Sequence, residues 1–364
     1  MLDKKRLAYI DFLRAIAVIS VVFGSMLPAG CWPSALVNAF NVPLFCIVGG
    51  ILCTPPASAR EYPRVLKSVT TRLIIPYLIF FTASCSVYLI PSAKLPDFVA
   101  ESAPSGFFDL LGRLVLFDGK TVWNSALWFM PCYILVSLIF PAIMLLFKKE
   151  KYAALSVMLS SFLAVITLDA FSVSIRRFGI ENSIIMLGFF AAGYLLRPLL
   201  DKSEQASSTK ARALISLGGV ALLAVAALLT LRANAVPVTD TMPAGYYDLN
   251  MYAGQYNGVW RFVLLALFLS LALTAALIFV PQSRAMRLIS GGSMFVGMTH
   301  MLVFFDKTFT AVNPYVSMWE IDMRIAYRDA ASITVIFLFI LLVVDFVKRK
   351  AARSASVFKF IGIK

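Results

Sequence analysis

Residues 8–27 read AYIDFLRAIAVISVVFGSML, an apolar run in which Asp11 and Arg14 are the only charges. About 20 apolar residues make a helix long enough to cross the hydrocarbon of a bilayer. The run starts after Lys4, Lys5 and Arg6 and ends before Pro28-Ala29-Gly30-Cys31, an outline shared with cleaved lipoprotein leaders. A leader needs an uninterrupted apolar segment, so Asp11 and Arg14 point to a retained helix. From Ala15 to Leu27 there are 13 residues, too few to span about 30 Å alone. Arg14 is therefore expected inside the hydrocarbon boundary, facing a bundle interior, a partner or a water-filled path. Snorkelling to the headgroups is the plainer alternative. Asp11, on the neighbouring turn, offsets part of the cost of burying the charge. Eleven steps of about 100° bring Ser25 back to the face of Arg14, roughly 16 Å further along the helix.

Outward from this helix the same character continues. Of 364 residues, 60% are hydrophobic and 14% charged, and the mean hydropathy is +0.85. Soluble domains are near half apolar and about a quarter charged, so soluble kinases, dehydrogenases and DNA-binding proteins are excluded. Apolar runs fall at 8–27, 35–53, 73–92, 126–147, 152–170, 183–200, 213–232, 259–280, 288–305 and 330–347. The expected fold is all-α and polytopic, with about ten transmembrane helices in a domain over 1–350 and a short basic tail over 351–364. Asn41 and Pro43 interrupt the second run, and Gly291 and Gly292 open the ninth. Either break marks an interior cavity, where irregular backbone is tolerated, or an ordinary kink.

The net charge is +14, from 33 Lys+Arg against 19 Asp+Glu. With the N-terminus inside, 22 of the 33 basic residues lie on the inner side and 10 on the outer, which supports N-in and C-in. No basic helix with an aromatic platform accompanies the charge, so nucleic acid is not an expected partner. Cys31, Cys46, Cys53, Cys85 and Cys132 are an odd number without a CxxC pair. That pattern argues against a disulfide framework, and no metal-ligand spacing is present. No internal repeat stands out, and the polar link Ser203–Lys210 is a connector.

Several short motifs then fall into a familiar order. Tyr9-Ile10-Asp11-Phe12-Leu13-Arg14-Ala15-Ile16-Ala17-Val18 resembles the opening of the acyltransferase family 3 membrane proteins. Val42-Pro43-Leu44-Phe45 with Gly49-Gly50, Arg72-Leu73-Ile74-Ile75-Pro76-Tyr77 and Ala126-Leu127-Trp128-Phe129 are similar to its later elements. Gly188-Phe189-Phe190, Gly193-Tyr194 and His300 complete the set. The resemblance implies a multi-pass protein of the bacterial inner membrane. It would move an acyl group, usually acetyl, from cytoplasmic acyl-CoA to a hydroxyl of an extracytoplasmic polysaccharide or lipid-linked sugar. Acyl-CoA is then a co-substrate, with no bound cofactor implied.

The family carries an arginine followed after ten residues by a histidine. The arginine falls on Arg14, the histidine on Ser25. Imidazole suits removal of a hydroxyl proton because its pKa is near neutral. Serine cannot do this without an activating base of its own. Three readings stay open: His300 supplies the base, Ser25 acts as a nucleophile, or the protein has lost catalysis. In the last case it would be an acyltransferase-like component of polysaccharide export or assembly, working with assembly proteins. A secondary transporter would show symmetric broken helices, which are absent. Arg60, Arg64 and Lys67 read as headgroup anchors, whereas Arg72 and Arg14 are the candidate CoA contacts. On the outer side Tyr246, Asp248 and their neighbours Tyr247, Asn250, Tyr252, Gln255, Tyr256, Asn257 and Trp260 combine aromatics, amides and a carboxylate, as sugar sites do. A belt at the membrane interface explains Tyr256 and Trp260 equally. Trp128 is a further substrate-side candidate from the resemblance, although a structural role suits it.

Overall fold

The computed structural model describes residues 8–27, 30–90, 100–101, 103–115, 123–173, 179–205, 208–237 and 245–301, with 335, 340, 341 and 343. The first apolar run forms one continuous helix, α1 (Ala8–Ser25). The second run is split into α2 (Trp32–Asn38) and α3 (Asn41–Leu52). Pro43 sits in the first turn of α3, where a missing N–H removes no helical bond. At the break, Asn38 Nδ2 donates to Ser34 Oγ at 3.1 Å and Asn41 Nδ2 to Asn38 Oδ1 at 3.2 Å. Asn41 Oδ1 accepts from the Val42 N–H at 2.7 Å. Ser34 and Asn41 are buried, so the break faces the protein interior, where its polar groups can be satisfied.

The third span is longer than its apolar run suggests. A 3-10 turn at Ala59–Glu61 leads into α4 (Tyr62–Val69), a π turn at Thr70–Ile74, and α5 (Ile75–Cys85). Pro76 lacks the N–H that the Arg72 carbonyl would accept, and the helix adjusts by pairing the Ile75 N–H with the Thr70 carbonyl five residues back. The loop expected between Arg60 and Arg72 is thus helical. A short amphipathic helix, α6 (Phe107–Val115), follows. Its Leu110 and Leu114 pack inward while Phe107, Phe108 and Leu111 are exposed. Arg113 bonds Asp109 Oδ2 at 2.9 Å, and chiefly this bond holds the Asp109 carboxyl down to about 2.

A 3-10 turn at Ser125–Trp128 opens α7 (Phe129–Met144), followed by α8 (Glu150–Ala170) and α9 (Ile180–Gln205). The chain continues with α10 (Thr209–Asn234), α11 (Val259–Leu277) and α12 (Arg284–Thr299). Among the described residues, eight helical stretches are long and apolar enough to cross a membrane. The protein is an all-α polytopic membrane protein. The 16-residue α12 takes the place of the expected ninth span. It runs unbroken through Gly291 and Gly292, and the missing Cβ of Gly292 makes room for Leu341. Gly292 serves packing, and neither glycine breaks the helix. The expected tenth span and the tail over 351–364 lie outside the described residues, apart from the four isolated positions.

Glycine sets the central crossing. A Cβ on Gly50 would overlap the Phe190 carbonyl, and one on Gly193 the Ile47 carbonyl. Here α3 and α9 meet backbone to backbone, the close approach that small residues permit between membrane helices. Around it one apolar core joins α1, α3, α7, α8, α9 and α11, with Leu13, Leu44, Phe140 and Phe189 fully buried. A second cluster binds α12 to α1 through Val18, Val22, Ile289 and Val296. A third gathers α5, the start of α7 and Met298 of α12.

The helices alternate in direction, giving the bundle two ends. At one, where α1 begins, Tyr194 Oη bonds Glu150 and Arg197 Nη1 bonds the Cys53 carbonyl at 2.9 Å. Arg60, Arg64, Lys67 and Lys148–Lys151 cluster there, so it is termed the basic end. At the far end Asp169 Oδ2 accepts from the Val259 N–H at 3.3 Å, and Asn257 Nδ2 donates to the Ala233 carbonyl at 2.8 Å.

Candidate functional site

Asp11 and Arg14 lie on α1 near the basic end, as the sequence suggests. Asp11 is only 3% exposed, and both side chains are engaged by neighbours within the fold. Arg14 is half-buried between the fully buried Leu13 and Ala15. Its charge acts on the hydroxyl of Tyr133, on α7. Arg14 thus lies within electrostatic reach of α7 from a buried stretch of α1. Arg72 is exposed, on the π turn just before Pro76, and no contact unites it with Arg14 among the described residues. Arg60, Arg64 and Lys67 are likewise exposed, as headgroup anchors are.

Because α1 is unbroken from Arg14 to Ser25, the two residues share a face. The Ser25 hydroxyl donates to the Val22 carbonyl of its own helix at 2.9 Å. That is the local bond by which serine satisfies itself in membrane helices. It commits the Ser25 proton to the backbone, an arrangement unlike that of an activated nucleophile, whose proton is held by a base.

The imidazole lies at the end of the neighbouring helix. His300 caps α12 and is 3% exposed. Its Nδ1 lies 2.9 Å from the Gly297 carbonyl and 3.3 Å from that of Val296. A carbonyl oxygen can only accept, so Nδ1 carries the proton, and Nε2 is the basic nitrogen of the neutral ring. This is how a backbone carbonyl selects a histidine tautomer and fixes ring orientation.

Three helices are clamped beside it. Asn124 Nδ2 donates to Ser84 Oγ of α5 at 3.1 Å and to the Met298 carbonyl of α12 at 2.9 Å. Trp123 Nε1 donates to the Ser84 carbonyl at 2.7 Å, and the Trp123 N–H to Tyr88 Oη at 3.0 Å. Asn124 is 1% exposed, and its Oδ1 has no hydrogen-bond partner among the described residues. Sequence reading missed both Asn124 and Ser84. A polar residue just ahead of an apolar run reads as a helix cap, yet Asn124 makes no cap bond.

The aromatic and amide-rich loop is well formed. Asn250 and Gln255 exchange backbone bonds around Gly254, whose φ of +65° suits glycine. The Tyr246 N–H bonds the Gly30 carbonyl at 3.1 Å, and that of Tyr247 bonds Asn234 at 2.7 Å. Trp128 meets Tyr252 with ring centroids 6.0 Å apart, so the loop reaches the start of α7. Burial raises the Asp248 carboxyl above its usual range. Tyr256 packs on Phe262 at 4.8 Å, while Trp260 is half-exposed beside Arg261. Of the two, Trp260 fits an interfacial belt and Tyr256 is part of the core.

Fold and site together define a multi-pass membrane protein with polar side chains turned inward near both ends, an arginine near one and a tautomer-fixed histidine near the other. The family model described as an acyltransferase domain matches residues 7–349, nearly the whole chain. The chain belongs to acyltransferase family 3 and is a membrane acyltransferase in the general sense of that family. No curated protein and no solved structure matched it.

Proposed function

We propose that the protein is an O-acyltransferase of the bacterial inner membrane, moving an acyl group, acetyl foremost, from cytoplasmic acyl-CoA to a hydroxyl of an extracytoplasmic glycan. The basic end faces the cytoplasm, where Arg14, with Arg72 at the entrance, receives the CoA. The far end faces outward, where Tyr246, Asp248 and Trp128 meet the sugar. The observation that carries this reading is the state of His300: with Nδ1–H given to Gly297, Nε2 is available as the base that Ser25 cannot be.

The chemistry balances on this one imidazole. The sugar hydroxyl oxygen attacks the thioester carbonyl while Nε2 takes its proton. The tetrahedral intermediate collapses by breaking the carbon–sulfur bond. The departing thiolate takes the proton back from the imidazolium, leaving an O-acyl sugar, CoA thiol and neutral His300. General-base assistance of this kind contributes about 10²–10⁴-fold.

A second reading is favoured by the Ser25 bond to Val22: the first-helix position holds no base, and the scaffold serves polysaccharide export or assembly without chemistry. Purified protein in nanodiscs with radiolabelled acetyl-CoA separates the two, monitoring thioester cleavage and label transfer to envelope glycans. The enzyme reading expects activity in the parent and a loss of at least about 100-fold in His300→Ala. An inactive parent that gains activity as Ser25→His establishes the second reading. Activity unaffected by His300→Ala removes His300 as the base.

A further inference from the structure

Tyr133 stands out among the interior aromatics that the reaction above leaves unused. Its ring is held on two sides, stacked on Phe129 at 5.1 Å and 21°, and inclined to Phe190 at 6.4 Å. Its hydroxyl rests over Gly49 of α3: a Cβ there would overlap both Tyr133 Oη and Phe190. Gly49 therefore makes the recess that the hydroxyl occupies. No hydrogen bond to that hydroxyl forms among the described residues. Tyr133 is half-buried beside the fully buried Cys132, just as Arg14 is half-buried between Leu13 and Ala15. The Arg14 charge reaches the same hydroxyl. A cation and a phenol, both half-buried, thus lie within electrostatic reach of one another.

The directions of the helices say what must pass this recess. Arg14 and Ser25 are about 16 Å apart along α1, and α12 packs beside α1 in the same direction, with His300 at its far end. An acyl donor entering at the basic end must pass Arg14 and reach His300 at the other. The part of CoA long and thin enough for that path is the pantetheine arm, whose two amides need hydrogen-bond partners once they leave water. A phenol donates to an amide carbonyl.

We propose that Tyr133 Oη, seated over Gly49, hydrogen-bonds an amide carbonyl of the pantetheine arm and so marks its path through the bundle. The assignment rests on the acyl-CoA reading above. The test is equilibrium binding to the full chain in nanodiscs, using acetyl-CoA, CoA and adenosine 3′,5′-bisphosphate, which lacks the arm. In Tyr133→Phe, acetyl-CoA and CoA should bind about three- to tenfold more weakly, the span of one hydrogen bond. The bisphosphate should bind as it does to the parent, and the thermal midpoint should stay put. Gly49→Ala, which intrudes on the hydroxyl while leaving Tyr133 in the chain, should reproduce the selective loss if the phenylalanine variant proves unstable. Parent-like binding of all three probes in both variants overturns the proposal, as does an equal loss for the bisphosphate. A parent that binds neither acetyl-CoA nor CoA removes the acyl-CoA reading, and this inference with it. A parent that binds both, with Tyr133→Phe indistinguishable, removes the inference alone.

Discussion

Asn124 has its amide nitrogen bonded to Ser84 and Met298 and its oxygen bonded to none of the described residues, in a site 1% exposed. A buried carbonyl without a donor costs free energy, so the clamp on α5 and α12 is gained against a penalty on the same side chain. Asn124→Leu removes both, and leaves the Met298 carbonyl and Ser84 without their donor. The expected net effect is a loss of about 1–3 kcal/mol, read as a lower thermal midpoint in nanodiscs. Because Met298 lies two residues before His300, acyl transfer should fall beyond what the unfolded fraction explains, with kcat affected more than the KM for acetyl-CoA. An unchanged midpoint with unchanged kcat would mean that the three helices hold together without this clamp. Asp248 offers a pH prediction with a defined sign. Burial raises its pKa, so on acidification it protonates earlier than an exposed aspartate. If its carboxylate accepts a sugar hydroxyl, the acceptor KM should climb as pH falls through that raised value and level off below it. Asp248→Asn should flatten the profile, and a parent profile identical to that of Asp248→Asn would exclude the carboxylate from acceptor binding.

Two elements owe their form to single residues whose sequence signal was ambiguous. Gly193 and Gly50 could be ordinary membrane-helix glycines, but α3 and α9 touch backbone to backbone across them. Gly193→Ala pushes a methyl group into the Ile47 carbonyl, which neither rigid helix can yield easily. The expected cost is about 1–3 kcal/mol of overpacking, measurable as a lower unfolding midpoint. A neutral result would show that the crossing can open without loss. At Pro76 the missing N–H explains the π turn over Thr70–Ile74, which alters the direction in which Arg72 projects. The apolar runs made the helices legible, because length and hydropathy act residue by residue along one chain. The join of Arg60–Arg72 to the third span was not legible, since a helix leaving the bilayer loses its apolar signature while keeping its hydrogen bonds. Nor was the difference between the two expected breaks. Asn38 and Asn41 needed partners on the adjacent turns for the second span to open inward, whereas Gly291 and Gly292 stay helical, Gly292 against Leu341.

At the scale of the whole molecule, the sequence located Arg14 and His300 individually, but their relation depends on α12 lying along α1, a long-range pairing that no local pattern encodes. The Tyr133 recess is of the same kind, for its three walls come from α3, α7 and α9. What the local pattern does encode is orientation, through basic residues that stay on the cytoplasmic side during insertion. The proposed transfer from cytoplasmic acyl-CoA to an external sugar demands that this orientation hold, because on that reading the donor meets only the basic end. Gly106 and Ser58 are exposed, the first ahead of α6 on the far side and the second ahead of α4 at the basic end, and a Cβ on Gly106 meets no atom within 4 Å. Single substitutions Gly106→Cys and Ser58→Cys, probed with a membrane-impermeant maleimide on spheroplasts, should label at Gly106→Cys alone. Ser58→Cys should label only after the membrane is opened. Cys53 and Cys85, which are only half-buried, are replaced by serine beforehand, leaving the buried Cys31, Cys46 and Cys132 to give little background. The reverse pattern would turn the molecule over, place Arg14 on the side without acyl-CoA, and leave the proposed direction of transfer without a donor.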